Sequence, residues 1–587
     1  MKDFFKIVFA SMIGVILSAF ILFIISLIFL GAIISSTSQD KKANISANTV
    51  MHISLNYSIN ERTSKNPLQQ LDFLGFKTSK SLGLNDILAN IKKAAEDDNI
   101  EGIYLDLTGL QAGLATAEEI RNALADFKRS GKFILAYSEV YTQGAYYLAS
   151  VADKVYLNPE GILEFKGFSS EITFFKGALD KLDIEAQIIK VGTYKSAVEP
   201  FILDKMSEPN KIQVNSFLGS MYNNFLTQIS ISRKIRKDTL MAIANNLSVQ
   251  NAADAVKYKL ADGLKYKDEV LDDLKSRTGI DRDKEVKSIS IEEYSSDKAS
   301  STSSDRIAVI YASGEITGGE GNDETIGSER ISRAIRKARA DDKVKAIVLR
   351  VNSPGGSALA SDVIWREVVL SRKVKPFIVS MGDVAASGGY YIACAADSIF
   401  AQPNTITGSI GVFGIIPNMK NFFSNKLGIT FDGVKTGQFS DLGSITRPIT
   451  GAERLVIQKE VDRIYGSFIK KVSDGRKKTK GYVDSIGQGR VWSGSQALEN
   501  GLVDKLGDID NAIQSAATMA KLKDYKIVSY PAQKDPLESL FGDTADQVKD
   551  YFARLQLGEQ YTYYNQLKSA LTLTGVQARL PYTISIK

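Results

Sequence analysis

The stretch Ile87-Leu-Ala-Asn-Ile-Lys-Lys-Ala-Ala-Glu-Asp-Asp98 returns 244 residues later as Ile331-Ser-Arg-Ala-Ile-Arg-Lys-Ala-Arg-Ala-Asp-Asp342. In both, apolar residues fall at i, i+4 and i+7, the spacing of one face of an amphipathic surface helix. A strand-like run follows each helix, Ile100-Glu-Gly-Ile-Tyr-Leu-Asp-Leu107 in the first case and Val344-Lys-Ala-Ile-Val-Leu-Arg-Val351 in the second. The correspondence continues with Phe133-Ile-Leu-Ala-Tyr137 against Phe377-Ile-Val-Ser-Met381, then Gln143-Gly-Ala-Tyr-Tyr-Leu-Ala149 against Ser387-Gly-Gly-Tyr-Tyr-Ile-Ala393. Further on, Lys181-Leu-Asp-Ile184 answers Lys426-Leu-Gly-Ile429 at an offset of 245. So many ordered matches mean two copies of one unit. Short apolar strands alternating with helices make that unit α/β, with covered and largely parallel sheets.

The copies set the domain plan. An N-terminal repeat spans about 48–290 and a C-terminal repeat 306–525, joined at 295–305 by a Ser-, Asp- and Lys-rich linker. A tail, 526–587, is rich in Tyr, Gln and Leu and has no counterpart in the first copy. At the other end, residues 7–34 are 28 residues without a charge, preceded by Lys2 and Lys6. That exceeds a signal-peptide core and is enough for a tilted membrane-spanning helix, so 1–40 reads as a transmembrane anchor. With Lys41 and Lys42 flanking its far end, charge gives no orientation.

Two scarcities narrow the chemistry. The 587 residues contain one cysteine, Cys394, and one histidine, His52. Neither a disulfide within the chain nor a cysteine-rich metal site can form. His52 lies in a strand-like segment, Met51-His-Ile-Ser-Leu-Asn-Tyr57, and reads as structural, so a hydrolase built on this chain needs another base. The net charge is +6, without a basic block interleaved with aromatics, which argues against a nucleic-acid partner. No cofactor motif stands out.

Chemistry should lie where one copy keeps a reactive residue that the other has lost. Asn352-Ser-Pro-Gly-Gly-Ser357 follows a strand in the second copy, where the first has Gln111 and Ala112. A Gly-Gly pair lets backbone N–H groups approach a developing oxyanion, although it also serves in a plain tight turn. Ser387, in Asp383-Val-Ala-Ala-Ser-Gly-Gly389, faces Gln143 in the first copy; it could be a nucleophile or a helix cap. The first copy in turn keeps Lys195, in Val191-Gly-Thr-Tyr-Lys-Ser-Ala-Val-Glu-Pro-Phe201, where the second has Ser440. A hydroxyl with glycines in one half and an amine in the other point to a single site assembled across both. Lysine acts as a base only when neutral, which burial in an apolar site favours.

These stretches, together with Arg350-Val-Asn-Ser-Pro-Gly-Gly-Ser357, Ala385-Ala-Ser-Gly-Gly-Tyr-Tyr391 and Thr407-Gly-Ser-Ile-Gly411, closely resemble the signal peptide peptidase A (protease IV) family in its long two-repeat form. The resemblance runs to about residue 525 and implies two tandem ClpP/crotonase-like domains behind the transmembrane helix. It also implies Ser387 as nucleophile, Lys195 as general base and Ser409 as the hydroxyl that orients the amine. Backbone N–H groups at Gly355 or Gly356 would form the oxyanion hole. It further implies a homo-oligomer, a tetramer in the long form, with its bulk on the periplasmic side of the bacterial inner membrane. The expected substrates are signal-peptide remnants and other short apolar peptides. Two rival readings stay open: an acyl-CoA enzyme of the crotonase type, with no need for Ser387, and a non-catalytic membrane scaffold.

Overall fold

The computed structural model describes residues 2–38, 45–64, 81–294 and 303–533, together with 553, 556–561, 564 and 576–580 of the tail. The repeated helices form where the periodicity places them, at Leu84–Glu96 and Ser328–Ala340. The faces they bury correspond position by position: Ile87, Ile91 and Ala94 in one, Ile331, Ile335 and Ala338 in the other. Both end against a lysine ammonium that donates to their last carbonyls. Lys132 reaches Ala94 O and Asp97 O at 2.8 and 2.6 Å, and Lys375 reaches Ala338 O and Asp341 O at 3.0 and 2.6 Å. A cation there complements the negative end of the helix dipole.

The first half contributes β1 (Thr49–Ile53), β2 (Ile100–Asp106), β3 (Phe133–Tyr141), β4 (Lys154–Leu163), β5 (Glu185–Val191), β6 (Gly263–Leu264) and β7 (Ser288–Ser290). Six of them form one sheet, ordered β6-β4-β3-β2-β1-β7, with every pairing parallel. Its strands are buried on both faces, as parallel sheets under helices require. β5 does not join this sheet.

The second half contributes β8 (Arg306–Ser313), β9 (Glu315–Thr317), β10 (Thr325–Gly327), β11 (Val344–Ser353), β12 (Gly355–Ser357), β13 (Phe377–Ala386), β14 (Ser398–Ala401), β15 (Ile406–Gly408), β16 (Val412–Asn418), β17 (Val491–Ser493) and β18 (Lys505–Leu506). The tail adds β19 (Lys526–Tyr530) and β20 (Val576–Arg579). The main sheet runs β17-β15-β13-β11-β8-β19, with β14 on β13 and β18 on β14. A third sheet, β10-β9-β12-β20-β16-β5, draws strands from the first half, the second half and the tail. In it β5 pairs antiparallel with β16 over seven residues, from Val191↔Val412 to Glu185↔Asn418.

The described parts of the tail, which has no counterpart in the first copy, join the sheets of the body. Its first residues extend the main sheet in parallel with β8, and its last described ones enter the third sheet. Most of the expected linker, 295–302, lies outside the described residues.

Polar contacts deep in the junction join the halves. The guanidinium of Arg350, on β11, donates to Glu61 Oε2 at 2.8 Å, and its Nη2 lies 2.7 Å from Glu119, with all three residues buried. Thr116 donates its N–H and hydroxyl to Asp383 at 2.9 and 2.6 Å. A helix occupies Lys2–Ser38, and its side chains at Ile7, Phe9, Ile16 and Leu22 are exposed. Among the described residues no helix is long and apolar enough to cross a membrane.

Candidate active site

β13 ends at Ala386 and the chain turns at once into the helix Gly388–Ala393. Ser387 makes that turn with φ +55° and ψ −112°, a backbone state that L residues rarely adopt. Its N–H is tied to Gly408 O at 2.8 Å, and its side chain makes no capping bond. The helix-cap reading of this serine is thereby replaced: the hydroxyl turns instead toward Lys195, whose Nζ lies 3.0 Å from Ser387 Oγ.

Lys195 arrives from the other half. β5 carries the chain to Gly192, which turns with φ +102°, and Tyr194 N–H then donates to Gln488 O at 2.8 Å. Two glycines of the second half press on the lysine. A Cβ on Gly489 would lie within 2.7 Å of the lysine backbone, and one on Gly411 within 3.2 Å of its stem. Lys195 is 0% exposed, while its counterpart in the repeat, Ser440, sits in an exposed loop. Burial alone drives the amine's pKa well below the ordinary lysine value, and no carboxylate pulls it back. The Phe413 ring centroid stands 5.8 Å from Nζ, on the apolar side of the site.

Ser409, between β15 and β16, also has a positive φ, +50°, and its N–H donates to Arg490 O at 2.7 Å. Its Oγ lies 3.0 Å and its carbonyl oxygen 3.4 Å from Lys195 Nζ. A neutral amine has two N–H donors and one lone pair. Both donors can be spent on Ser409, which leaves the lone pair for the Ser387 hydroxyl.

The glycine pair follows directly. Gly355 and Gly356 have φ of +98° and +154°, and a Cβ on Gly356 would come within 2.1 Å of Ile316 O. Gly355 N–H already donates to Ser353 Oγ at 3.1 Å, so its neighbour's N–H is the better candidate donor for a ligand. Gly388 lies beside the same spot, its N–H being 2.8 Å from the Cβ position of Gly355. Sequence reading passed over Gly388, Gly411 and Gly489 because they act through backbone or through space left empty, and no side chain marks them.

The first copy holds no such arrangement. Gln143 is fixed by its own amide, which donates to Gly167 O at 2.9 Å and accepts from Lys166 and Gly167 N–H groups at 3.1 and 3.0 Å. His52 belongs to the first sheet, stacked on Tyr104 with Nε2 3.3 Å from Asp106. Among the described residues there is no cluster of His, Cys, Asp or Glu suited to a metal ion.

Comparison with known proteins matches both halves. The family model "Peptidase family S49" matches residues 126–281 and 370–523, and the "Clp protease" model matches 298–407. Protease 4 of Salmonella typhi is 40% identical over 476 residues, 79% of this chain and 76% of the relative. Protease 4 of Haemophilus influenzae is 38% identical, covering 75% of this chain and 74% of the relative. Serine protease SPPA, chloroplastic, of Arabidopsis thaliana is 33% identical, covering 87% and 76%. Two α/β repeats of Clp-protease type, a match in each to the same family model and relatives aligned over most of their length lead to one conclusion: the chain belongs to peptidase family S49 and is a serine peptidase.

Proposed function

We propose that the chain is a membrane-bound endopeptidase that uses a Ser387/Lys195 dyad to degrade cleaved signal peptides and other short apolar peptides. The observation that carries this reading is the 3.0 Å contact between the Lys195 amine and the Ser387 hydroxyl, both fully buried and contributed by different halves. Neutral Lys195 takes the serine proton as Oγ attacks the peptide carbonyl, and Ser409 holds the amine in line. The N–H groups of Gly356 and Gly388 face the developing oxyanion. Lys195 returns its proton to the leaving amine, then activates water to hydrolyse the acyl-enzyme. This scheme has no step for a cofactor. An acyl-CoA enzyme would leave the buried Ser–Lys contact without a task, and so would a scaffold.

The uncharged run 7–34 supports an uncleaved anchor in the inner membrane, and the family resemblance supports a periplasmic site and a tetramer. Membranes bearing the full chain should hydrolyse a short apolar peptide, and membranes bearing Ser387→Ala at equal level should lose at least about a thousandfold in rate. Equal activity in the variant would remove Ser387 as nucleophile, and activity confined to the soluble fraction would remove the anchor. Sedimentation of the detergent-solubilised protein counts the copies, four on this reading.

A further inference from the structure

The loop that carries Lys195 is gripped from both sides. From the second half, the carbonyl of Gln488, a residue at φ +52°, accepts Tyr194 N–H at 2.8 Å, and its side-chain oxygen accepts Thr193 N–H at 3.4 Å. From the first half comes Gln213, in the second turn of the helix Glu208–Arg233 and 0% exposed. Its Nε2 donates to Ser196 Oγ at 2.8 Å and to Tyr194 O at 3.1 Å, groups of the two residues that flank the lysine. Its Oε1 accepts Val491 N–H at 3.2 Å. The residue before Val491 is Arg490, whose carbonyl holds the Ser409 N–H. One buried amide therefore ties the chain on both sides of the amine to the strand that sets the Ser409 hydroxyl beside it.

The amide has one working orientation. Tyr194 O needs a donor and Val491 N–H an acceptor, so exchanging Nε2 and Oε1 would set oxygen against oxygen and N–H against N–H. A chain of buried groups reinforces that choice. Nε2 also lies 3.0 Å from Asn210 Oδ1, while Asn210 Nδ2 donates to Glu199 at 2.9 Å. The Glu199 carboxylate only accepts, so Asn210 must turn its donor toward it and its oxygen toward Gln213. Glu199 takes the Ser207 N–H and hydroxyl as well, at 3.2 and 2.5 Å, and Ser207 caps the helix through Asn210 N–H at 3.3 Å. Glu199 exerts no pull on the base itself, whose pKa is depressed by burial alone.

We infer that Gln213 is a positioning residue for proton transfer: its amide holds the lysine loop and the Ser409 strand in the one arrangement that aims Lys195 at Ser387. The inference rests on the Ser387/Lys195 reading. None of the hydrogen-bond partners of Gln213 belongs to the Gly355–Gly356 pair or to the helix Gly388–Ala393, so its loss acts on proton transfer rather than on peptide binding. A displacement of about 1 Å in a reacting group is worth about 10²-fold in rate. Loosening the loop also admits water to the amine, and hydration returns its pKa toward the ordinary lysine value. The loss of activity is therefore greatest at low pH and shrinks as pH rises.

Turnover of a short apolar peptide by the purified full chain, with kcat and KM separated and kcat/KM followed against pH, tests this in Gln213→Met and Gln213→Glu. Methionine keeps the length and removes both hydrogen-bonding groups. It should lower kcat about 10–100-fold at neutral pH, hold KM within about twofold and move the acid limb of the profile up by about one pH unit. Glutamate is isosteric, and its neutral carboxyl can serve both Tyr194 O and Val491 N–H, so this variant folds even where methionine leaves them unpaired. Once ionised it lacks the donor and favours the charged amine, so its acid limb should also rise by about one unit or more. An unmoved limb in the glutamate variant, or a methionine loss that is equal at every pH or lies wholly in KM, overturns the role of Gln213 and leaves the dyad standing. A wild type whose own profile has no acid limb overturns the lysine base and this inference together.

Discussion

Lys195 is set up by what is missing around it. With no acid near among the described residues and no water-exposed surface, its charged form is disfavoured by desolvation alone. In the unfolded chain a lysine titrates near 10.4, about 1.4 kcal/mol per unit above a depressed folded value. Stability from this residue is therefore full only above the unfolded pKa and is lost as pH falls toward the folded one. Replacing it by methionine, of similar length and uncharged, should abolish turnover and raise the melting temperature at neutral pH by a few degrees. A melting temperature that stays level or falls would mean that the amine is not held neutral. In the wild type, kcat/KM should drop as pH falls through the depressed pKa. A profile flat from about pH 5 to 10 would remove the lysine base. Ser387 and Lys195 were legible in the sequence because the repeat supplies an internal control, Gln143 against one and Ser440 against the other. The positive φ at both Ser387 and Ser409, which aims two hydroxyls at one amine, leaves no trace in residue types.

Among the elements, β12 and the β5–β16 pair hold the site in register. Gly356 cannot carry a side chain: a Cβ would come within 2.1 Å of Ile316 O on β9, which is backbone and cannot step aside. Gly356→Ala should lower kcat/KM by about 10²-fold or more, the scale of one misplaced oxyanion donor. It should also destabilise the fold by about 1–3 kcal/mol through strain. Wild-type kinetics in this variant would take Gly356 out of the oxyanion hole. The helices were readable because a buried face repeats with a fixed period, and the parallel strands because they are continuous apolar runs. The pairing of β5 with β16 was not readable. Edge strands join through backbone groups common to every residue, so nothing in Glu185–Val191 names its partner. Likewise β20, the tetrapeptide Val-Gln-Ala-Arg, is too short and mixed to carry a strand signature, and it pairs with β12 and β16 through its backbone.

For the whole molecule, the junction between halves buries ionisable side chains. Arg350 faces Glu61 and Glu119, and burial pushes the Glu119 carboxyl up to about 8 even with that guanidinium beside it. Arg350→Met would leave two buried acids without their cation, a loss of roughly 3–5 kcal/mol. Chemical denaturation of the purified chain should register that drop, and an unchanged midpoint would show that the halves are held by packing alone. The sequence announced two halves through the repeat, yet the partners of Arg350 are 289 residues away in one case and carry no motif.

The site split between the repeats also sets a clock on synthesis. Ser387 follows Lys195 by 192 residues, so at about 5–20 residues per second the ribosome adds the proposed nucleophile roughly 10–40 s after the proposed base. Throughout that interval the emerging polypeptide holds an amine with nothing to activate, and then a hydroxyl whose glycine-lined bed is still being assembled. Residues 489 and 490, which fix Lys195 and Ser409, come later still. The nascent chain is thus proteolytically silent while the ribosome is still making it.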